Sequence, residues 1–144
     1  MIKTSNVQFT YLGAKKTSIK NINLIIPEQT LICIDGDNGN GKTTLALALC
    51  GIIPQIIKGD FLGSVSWKNT DCSSLNLSES VSFVFQDPYI YFSNYTFEEE
   101  KYFIDEKFDS LLPDVPLNTP LHKLSSGEQQ RIAITSALSR ENPI

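Results

Sequence analysis

One glycine-rich segment combines residue types that suit phosphate binding. Gly36 is followed five residues later by Gly41, and Lys42 and Thr43 come directly after it. Glycines let successive backbone N–H groups turn toward one anion, because they lack side chains and tolerate positive φ. A lysine here can reach the β- and γ-phosphates, and a threonine hydroxyl can join the coordination shell of Mg²⁺. The spacing therefore predicts a site for a nucleoside triphosphate with Mg²⁺.

The segments on either side of this loop match what such a site needs. Residues 31–35, "LICID", form a short apolar run that predicts a buried parallel strand. Residues 43–50 are good helix formers, and Gly51 is a candidate C-terminal cap. The N-terminus of that helix would offer unpaired N–H groups and a partial positive charge to the phosphates. A plain glycine turn is the alternative, and the lysine and threonine disfavour it.

A second candidate site lies in "LSSGEQQR", which starts at residue 124. Ser125 offers a hydroxyl, Gly127 allows close approach of an anion, and a helix is predicted to follow. The alternative is a helix cap made by Ser125 or Ser126, with Glu128 or Gln129 completing a capping box. The serine and glycine alone favour the cap, and the presence of the first motif favours the anion contact.

Apolar periodicity predicts the remaining elements. Strands are expected over residues 1–9, 21–26, 65–67 and 81–85, loops over 52–64 and 113–120, mixed helical structure over 97–108, and a helix over 127–139.

Composition limits the class of protein. The 144 residues are 41% hydrophobic and carry a net charge of −4, which indicates one modest globular domain without a basic footprint for nucleic acid. Three cysteines lack metal-ligand spacing, and we expect reduced thiols, with Cys33 and Cys50 in apolar surroundings. No stretch is long enough to span a bilayer, and the N-terminus lacks the features of a signal peptide.

The two motifs together resemble the nucleotide-binding domain of ABC ATPases, in which a phosphate loop (Walker A) is followed by a Q-loop and a signature motif. Gln86 in "VSFVFQDP" stands where that family has the Q-loop glutamine. The resemblance implies that Gln86 contacts Mg²⁺ or the attacking water, and that the aromatic ring of Tyr11 stacks on adenine. Ser126 and Glu128 depart from the usual signature sequence, LSGGQ.

The resemblance implies an α/β fold with a P-loop NTPase core, an N-terminal antiparallel β subdomain and a short helical subdomain, incomplete at the C-terminus. Its parts would be residues 1–85, 86–123 and 124–144. ATP and Mg²⁺ are the implied cofactors, with Lys42 and Gln86 acting in the reaction and Thr43 and Gln86 on the metal. The implied ATP site comprises Tyr11, Gly36, Asn38, Gly39, Asn40, Gly41, Lys42, Thr43 and Thr44, joined from a second copy by Ser125, Gly127 and Glu128.

Two longer stretches resemble the ATPases of energy-coupling-factor importers: "LCGIIPQIIKGDFLGSV" and "VSFVFQDPYIYFSNYTFEEE". This similarity implies a second ATP-binding subunit, a multi-span membrane subunit and a place at the cytoplasmic face of the cell membrane. Two other functions stay open. One is a truncated nucleotide-binding or regulatory module without turnover. The other is a soluble ABC protein, which would need coiled-coil or basic insertions that this sequence lacks.

Aromatic residues after the Q-loop have two interpretations, as core of the helical subdomain or as an interface for a membrane subunit. They are Tyr89, Tyr91, Phe92, Tyr95 and Phe97. The acidic run Glu98–Glu100 predicts a solvated first helical turn.

The family's next segment would be the Walker B strand, with an aspartate for Mg²⁺ and a glutamate that polarises water. The sequence ends at Ile144, before that segment. We therefore expect these residues alone to bind nucleotide and to hydrolyse it poorly or not at all. We also expect the strand predicted over 31–35 to lack neighbours and to leave apolar surface uncovered.

Overall fold

The computed structural model describes residues 1–74, 76 and 81–140. The chain forms two compact units, Met1–Ser80 and Val81–Ile144. Within the described residues, no helix has the length and hydrophobicity required to cross a membrane.

The first unit is built on an antiparallel sheet with β1 at its centre. The strands are β1 (Ile2–Tyr11), β2 (Ile19–Ile22), β3 (Ile25–Ile26), β4 (Gly59–Trp67) and β5 (Thr70–Asp71). β2 and β3 both pair with β1, which pairs on its other side with β4, and β5 pairs with β4. Val7 and Phe9 are completely buried beneath the sheet. The predicted N-terminal strand is thus confirmed, and the strand predicted over 21–26 is instead two short strands.

Two helices follow the glycine-rich loop. They are α1 (Lys42–Leu49) and α2 (Ile52–Gln55). Thr44, Leu47 and Ala48 form the buried face of α1, which ends as Gly51 takes a φ of 76°. The helix predicted over 43–50 is confirmed. The loop predicted over 52–64 is wrong, because those residues contain α2 and the first six residues of β4.

Residues 31–35 do not form the predicted strand. Leu31 is 98% exposed and Ile34 is 38% exposed, and the segment has no regular structure. A strand needs a neighbour for its N–H and C=O groups, and the described strands of the first unit pair with one another rather than with this segment. The expectation of uncovered apolar surface is therefore confirmed. The strand predicted over 81–85 is also wrong, since these residues have no regular secondary structure.

The second unit packs short helices against α4 (Ser126–Ser139). The shorter elements are α3 (Phe97–Lys101) and single 3₁₀ turns at Pro88–Tyr91, Glu106–Leu111 and Leu121–Lys123. Its core comprises Phe97, Ile104, Leu121, Leu124 and Ile132. Arg131 of α4 donates to the carbonyl oxygens of Leu111 (3.0 Å) and Leu112 (3.0 Å). The helix predicted over 127–139 is confirmed. The segment 97–108, predicted as mixed helical structure, contains α3 and the first residues of the 3₁₀ helix Glu106–Leu111.

The aromatic residues divide between core and surface, and their role as an interface for a membrane subunit stays a prediction. Phe97 is only 3% exposed and lies in the core, with Phe92 packed against it. Tyr89 and Tyr95 are instead 46% and 61% exposed.

The acidic run also divides. Glu98 and Glu99 are exposed, whereas Glu100 is 4% exposed. Its carboxylate accepts hydrogen bonds from Ser136 Oγ (3.1 Å) and Asn94 Nδ2 (2.9 Å). The predicted solvated turn is therefore wrong at Glu100. Burial of this carboxylate is tolerated because both donors satisfy it by hydrogen bonds.

The three cysteines are free thiols, as expected, but they differ in burial. Cys33 is exposed, which corrects the expectation of apolar surroundings there. Cys50 is half-buried and Cys72 is buried. Burial raises the pKa of Cys50 to about 11 and the pKa of Cys72 to about 11.

Candidate functional site

The glycine-rich loop depends on backbone conformations that other residues seldom adopt. Gly36, Gly39 and Gly41 have φ angles of 140°, 82° and 83°. At Gly41 a Cβ atom would also collide with the carbonyl oxygen of Ser18 and the side chain of Ile19. The loop therefore rests directly on the chain at the start of β2.

The loop closes around the ammonium group of Lys42. Lys42 Nζ donates to the carbonyl oxygens of Gly36 (2.5 Å) and Asp37 (3.0 Å). A turn from Asn40 N–H to the Asp37 carbonyl (3.3 Å) completes the ring. The loop thus holds a cation at its centre, where an anion can pair with it.

Backbone donors converge on the same place. The first hydrogen bond within α1 runs from Leu45 N–H to the Gly41 carbonyl at 2.8 Å. The N–H groups of Lys42, Thr43 and Thr44 precede it, so they have no partner within the helix. No side chain caps this end, and no acidic residue lies in the first turn. The helix N-terminus and the ammonium group therefore present positive charge together.

Tyr11 reaches this helix from β1. Tyr11 Oη and Thr44 Oγ1 are 3.0 Å apart, and the Tyr11 ring meets the edge of Phe9 with centroids 4.9 Å apart. Thr44 is 5% exposed, whereas Thr43 is exposed. The sequence offered no signal for the bond between Tyr11 and Thr44, because the two residues are 33 positions apart in the chain.

The second motif forms a capping box at the start of α4. Glu128 N–H donates to Ser125 Oγ (3.3 Å), and the Glu128 carboxylate accepts from Ser125 N–H (2.8 Å) and Ser125 Oγ (2.7 Å). The hydrogen bond from the Ser125 hydroxyl is the largest cause of a lowered pKa at Glu128, and the bond from the Ser125 N–H adds to it. Space is open where Gly127 would carry a Cβ. The capping alternative is thus present in the structure, with Ser125 as its N-cap.

The predicted site residues divide between the two units. The phosphate loop and Tyr11 come together in the first unit, and Ser125, Gly127 and Glu128 come together in the second. Gln86 is exposed in a segment of the second unit without regular structure.

The motif resemblance implies a Mg²⁺ ion beside the phosphate loop. In the part of the chain that the structure describes, no cluster of three or more His, Cys, Asp or Glu side chains can hold a metal ion. The exposed Thr43 hydroxyl, beside the loop, fits a Mg²⁺ whose other ligands are phosphate oxygens and water.

Sequence reasoning missed one partly open pocket. A cavity of about 380 Å³ in the second unit is lined by Tyr91, Ser93, Asn94, Glu100, Phe103, Ser136 and Arg140. The Tyr91 hydroxyl is buried without a recorded partner among the described residues. None of the predicted site residues lines this cavity.

The loop, its lysine and the helix that follows define a nucleotide-binding protein of the P-loop class. A sequence model of the family described as "ABC transporter" matches residues 19–144. The chain belongs to that family, and the resemblance inferred from its motifs is confirmed.

Named relatives agree with this assignment. A "Putative ABC transporter ATP-binding protein" of Methanosarcina mazei is 30% identical over 163 residues, covering 100% of this chain and 33% of that protein. The "Energy-coupling factor transporter ATP-binding protein EcfA1" of Mycoplasmoides gallisepticum is 32% identical over 154 residues, covering 96% of this chain and 54% of that protein. The chain therefore spans between a third and about half of the length of these relatives.

Solved structures confirm the fold class. The ATP-binding cassette MJ0796, described as dimeric and bound to ADP and Pi, matches with a TM-score of 0.74 and 27% identity, covering 99% of this chain and 71% of that one. The cbiO1 protein of Clostridium perfringens, described as part of the cbiONQ transporter complex, matches in fold with a TM-score of 0.67 and 24% identity, covering 98% of this chain and 62% of that one.

Proposed function

We propose that this chain is the nucleotide-binding part of an ABC importer ATPase and that it binds Mg²⁺–ATP on the loop from Gly36 to Thr44. The observation that carries this proposal is the ammonium group of Lys42, held inside the loop beside the free N-terminus of α1. Two sources of positive character at one concave segment recognise a polyphosphate.

Lys42, Thr43 and Tyr11 have separate parts in the proposed binding. The Lys42 ammonium exchanges the carbonyl oxygens of Gly36 and Asp37 for phosphate oxygens, and the backbone N–H groups of the first helical turn hold the same phosphates. The Thr43 hydroxyl would hold a Mg²⁺ ion bound with the nucleotide, and the ion would supply neutralisation of phosphate charge. The ring of Tyr11 provides a stacking surface for adenine.

The remaining predicted residues belong to the same proposal. Gln86 contacts Mg²⁺ or orients the attacking water in the full-length protein. Ser125, Gly127 and Glu128 of a second copy complete the site over the γ-phosphate. The dimeric description of a structural relative supports a paired arrangement of this kind.

Coupling to a membrane subunit is the basis of the proposed import. The similarity to EcfA1, an energy-coupling factor transporter protein, supports an importer, a multi-span partner and a place at the cytoplasmic face of the cell membrane. The partner subunit would choose the transported substrate.

One observation favours a second candidate, a nucleotide-binding module without turnover. The Glu128 carboxylate accepts hydrogen bonds from both the hydroxyl and the N–H of Ser125, so neither donor is left for a phosphate. A phosphate approaching Ser125 would meet this negative charge, which opposes closure over the nucleotide.

Calorimetric titration of the full-length protein with Mg²⁺–ATP tests the proposal. Lys42→Ala should raise Kd by at least about tenfold, because it removes a charge-assisted contact of roughly 1.5–3 kcal/mol. Lys20→Ala, which removes an exposed lysine of β2, is the matched control and should leave Kd unchanged. Equal affinities for the wild type and Lys42→Ala would contradict the proposed site. Phosphate release measured on the same preparations distinguishes the importer ATPase from the module without turnover.

A further inference from the structure

The hydroxyl groups of Tyr11 and Thr44 form one hydrogen bond between the sheet and the phosphate loop helix. Their oxygens are 3.0 Å apart, and Thr44 is only 5% exposed to solvent. Thr44 is the third residue of α1, inside the turn whose N–H groups are free. Tyr11 is thus fixed to the segment that receives the phosphates.

The distance fits either hydroxyl as the donor, and the greater acidity of a phenol favours Tyr11. Phenol is the stronger acid, with a pKa near 10, and is the better donor to an aliphatic hydroxyl. With Tyr11 donating to Thr44 Oγ1, the single proton of Thr44 is left for another acceptor. A threonine within a helix commonly gives that proton to the carbonyl four residues earlier, whereas the contact described for the Thr44 hydroxyl is the one with Tyr11.

The ring of Tyr11 is held separately. Its centroid lies 4.9 Å from that of Phe9 at an interplanar angle of 79°, and Phe9 is completely buried. Edge-to-face contact with an immobile ring restricts the orientation of the Tyr11 side chain. The hydroxyl therefore remains near Thr44 whether or not a base lies on the ring.

We propose that Tyr11 is a positioning residue for the phosphates: its hydroxyl donates to Thr44 and so directs the Thr44 proton to a phosphate oxygen of the bound nucleotide. This inference rests on the proposed function and adds to it. The role belongs to the hydroxyl and is separate from stacking by the ring, so it is independent of the base.

The test compares two ligands on the full-length protein by calorimetry, Mg²⁺–ATP and Mg²⁺–tripolyphosphate. Tyr11→Phe keeps the ring and removes the hydroxyl. We expect it to raise Kd about 3- to 10-fold for both ligands, the effect of one net hydrogen bond. Tyr11→Leu should raise the Kd for Mg²⁺–ATP further. Its Kd for Mg²⁺–tripolyphosphate should equal that of Tyr11→Phe. Tyr102→Phe, at a tyrosine that is 85% exposed, is the control and should change neither Kd.

A double-mutant comparison separates positioning from general damage. In a Thr44→Val background, Tyr11→Phe should have no further effect, because the partner hydroxyl is already absent. Thr44→Ser keeps the hydroxyl and should bind both ligands within about twofold of the wild type. The midpoint of urea unfolding, measured for every variant, shows whether a substitution has destabilised the fold.

Each remaining outcome decides against the inference. A loss confined to Mg²⁺–ATP would assign the whole effect of Tyr11 to stacking. Undiminished affinity of Tyr11→Phe, or additive effects with Thr44→Val, would overturn the positioning role. A wild type that binds Mg²⁺–ATP but not tripolyphosphate would overturn it too, since the phosphate contacts would not act alone. A wild type that binds neither would overturn the proposed function as well.

Discussion

Gly39 and Gly41 share nearly the same backbone conformation but have different surroundings. Their φ angles are 82° and 83°, yet a Cβ at Gly39 meets nothing within 4 Å, whereas one at Gly41 collides with the Ser18 carbonyl and Ile19. Gly39→Ala should lower the free energy of unfolding by about 1–2 kcal/mol, the cost of a left-handed alanine. Gly41→Ala should lower it by more and abolish binding of Mg²⁺–ATP, because the loop must move from β2.

Urea unfolding and nucleotide titration of the two variants measure both effects. Gly39→Ala is the matched control, since it carries the same backbone strain without the collision. Equal losses of stability in both variants would contradict the close packing of Gly41 on the start of β2.

The thiols differ in exposure, which predicts an order of alkylation. The pKa of Cys50 and that of Cys72 are each raised to about 11 by burial, so at pH 8 their thiolate fractions are small. Cys33 is exposed, and iodoacetamide should modify it first. Alkylation of the other two should accelerate about tenfold per pH unit below their pKa.

Mass spectrometry after timed quenching gives the three rates. Repeating the reaction in concentrated urea should abolish the order, because unfolding removes the burial. Equal rates for Cys33 and Cys72 in the folded protein would contradict their different burial.

The capping box of α4 makes helix stability depend on pH. Hydrogen bonds from Ser125 lower the pKa of Glu128 below its ordinary value of 4.5. The carboxylate therefore stabilises the fold above pH 4.5, and its contribution is lost as the pH falls through the lowered pKa. Glu128→Gln should be less stable than the wild type at pH 7, and this difference should shrink in acid.

Urea unfolding of Glu128→Gln between pH 7 and pH 3 measures this dependence. Ser125→Ala removes the N-cap itself and should lower the free energy of unfolding by about 1 kcal/mol. A stability difference that is the same at pH 7 and pH 3 would show that the Glu128 charge has no part in the cap.

Glu100 and Glu98 lie on the same helix, α3, but only Glu100 is buried. Glu100→Ala leaves Ser136 and Asn94 without the carboxylate that accepts their hydrogen bonds. We expect it to lower the free energy of unfolding by about 2–3 kcal/mol. Glu98→Ala, at an exposed position, should change it by less than about 0.5 kcal/mol, and urea unfolding compares the two. A small effect at Glu100 would mean that the cavity supplies water in place of the carboxylate.

The elements that sequence predicted well are those set by neighbouring residues. α1 and α4 follow from helix formers and from Gly51 and Ser125 at their ends, all within a few positions. The strand predicted over 31–35 was wrong, because strand formation depends on partners elsewhere in the chain. The same limit applied to the candidate site. Spacing placed Lys42 and the glycines, but the bond from Tyr11 to Thr44 joins elements distant in sequence.

The chain as a whole exposes a continuous apolar segment immediately before the phosphate loop. Leu31, Ile32 and Ile34 are 98%, 47% and 38% exposed, and β-prone apolar segments without partners associate with one another. A polypeptide of these 144 residues should therefore self-associate at micromolar concentration and bind a hydrophobic dye.

Sedimentation velocity measures that association and its cause. Replacing both Leu31 and Ile34 by lysine places charge in the segment and should shift the protein toward monomer, since edge lysines oppose strand pairing. The matched control replaces Leu12, 84% exposed in the turn after β1, by lysine and should leave association unchanged. Because the phosphate loop follows this segment directly, saturating Mg²⁺–ATP should also stabilise the folded chain against unfolding, by about 2.7 kcal/mol at one hundred times Kd. A wild-type chain that stays monomeric, with dye binding no greater than that of the lysine variant, would contradict an associating segment.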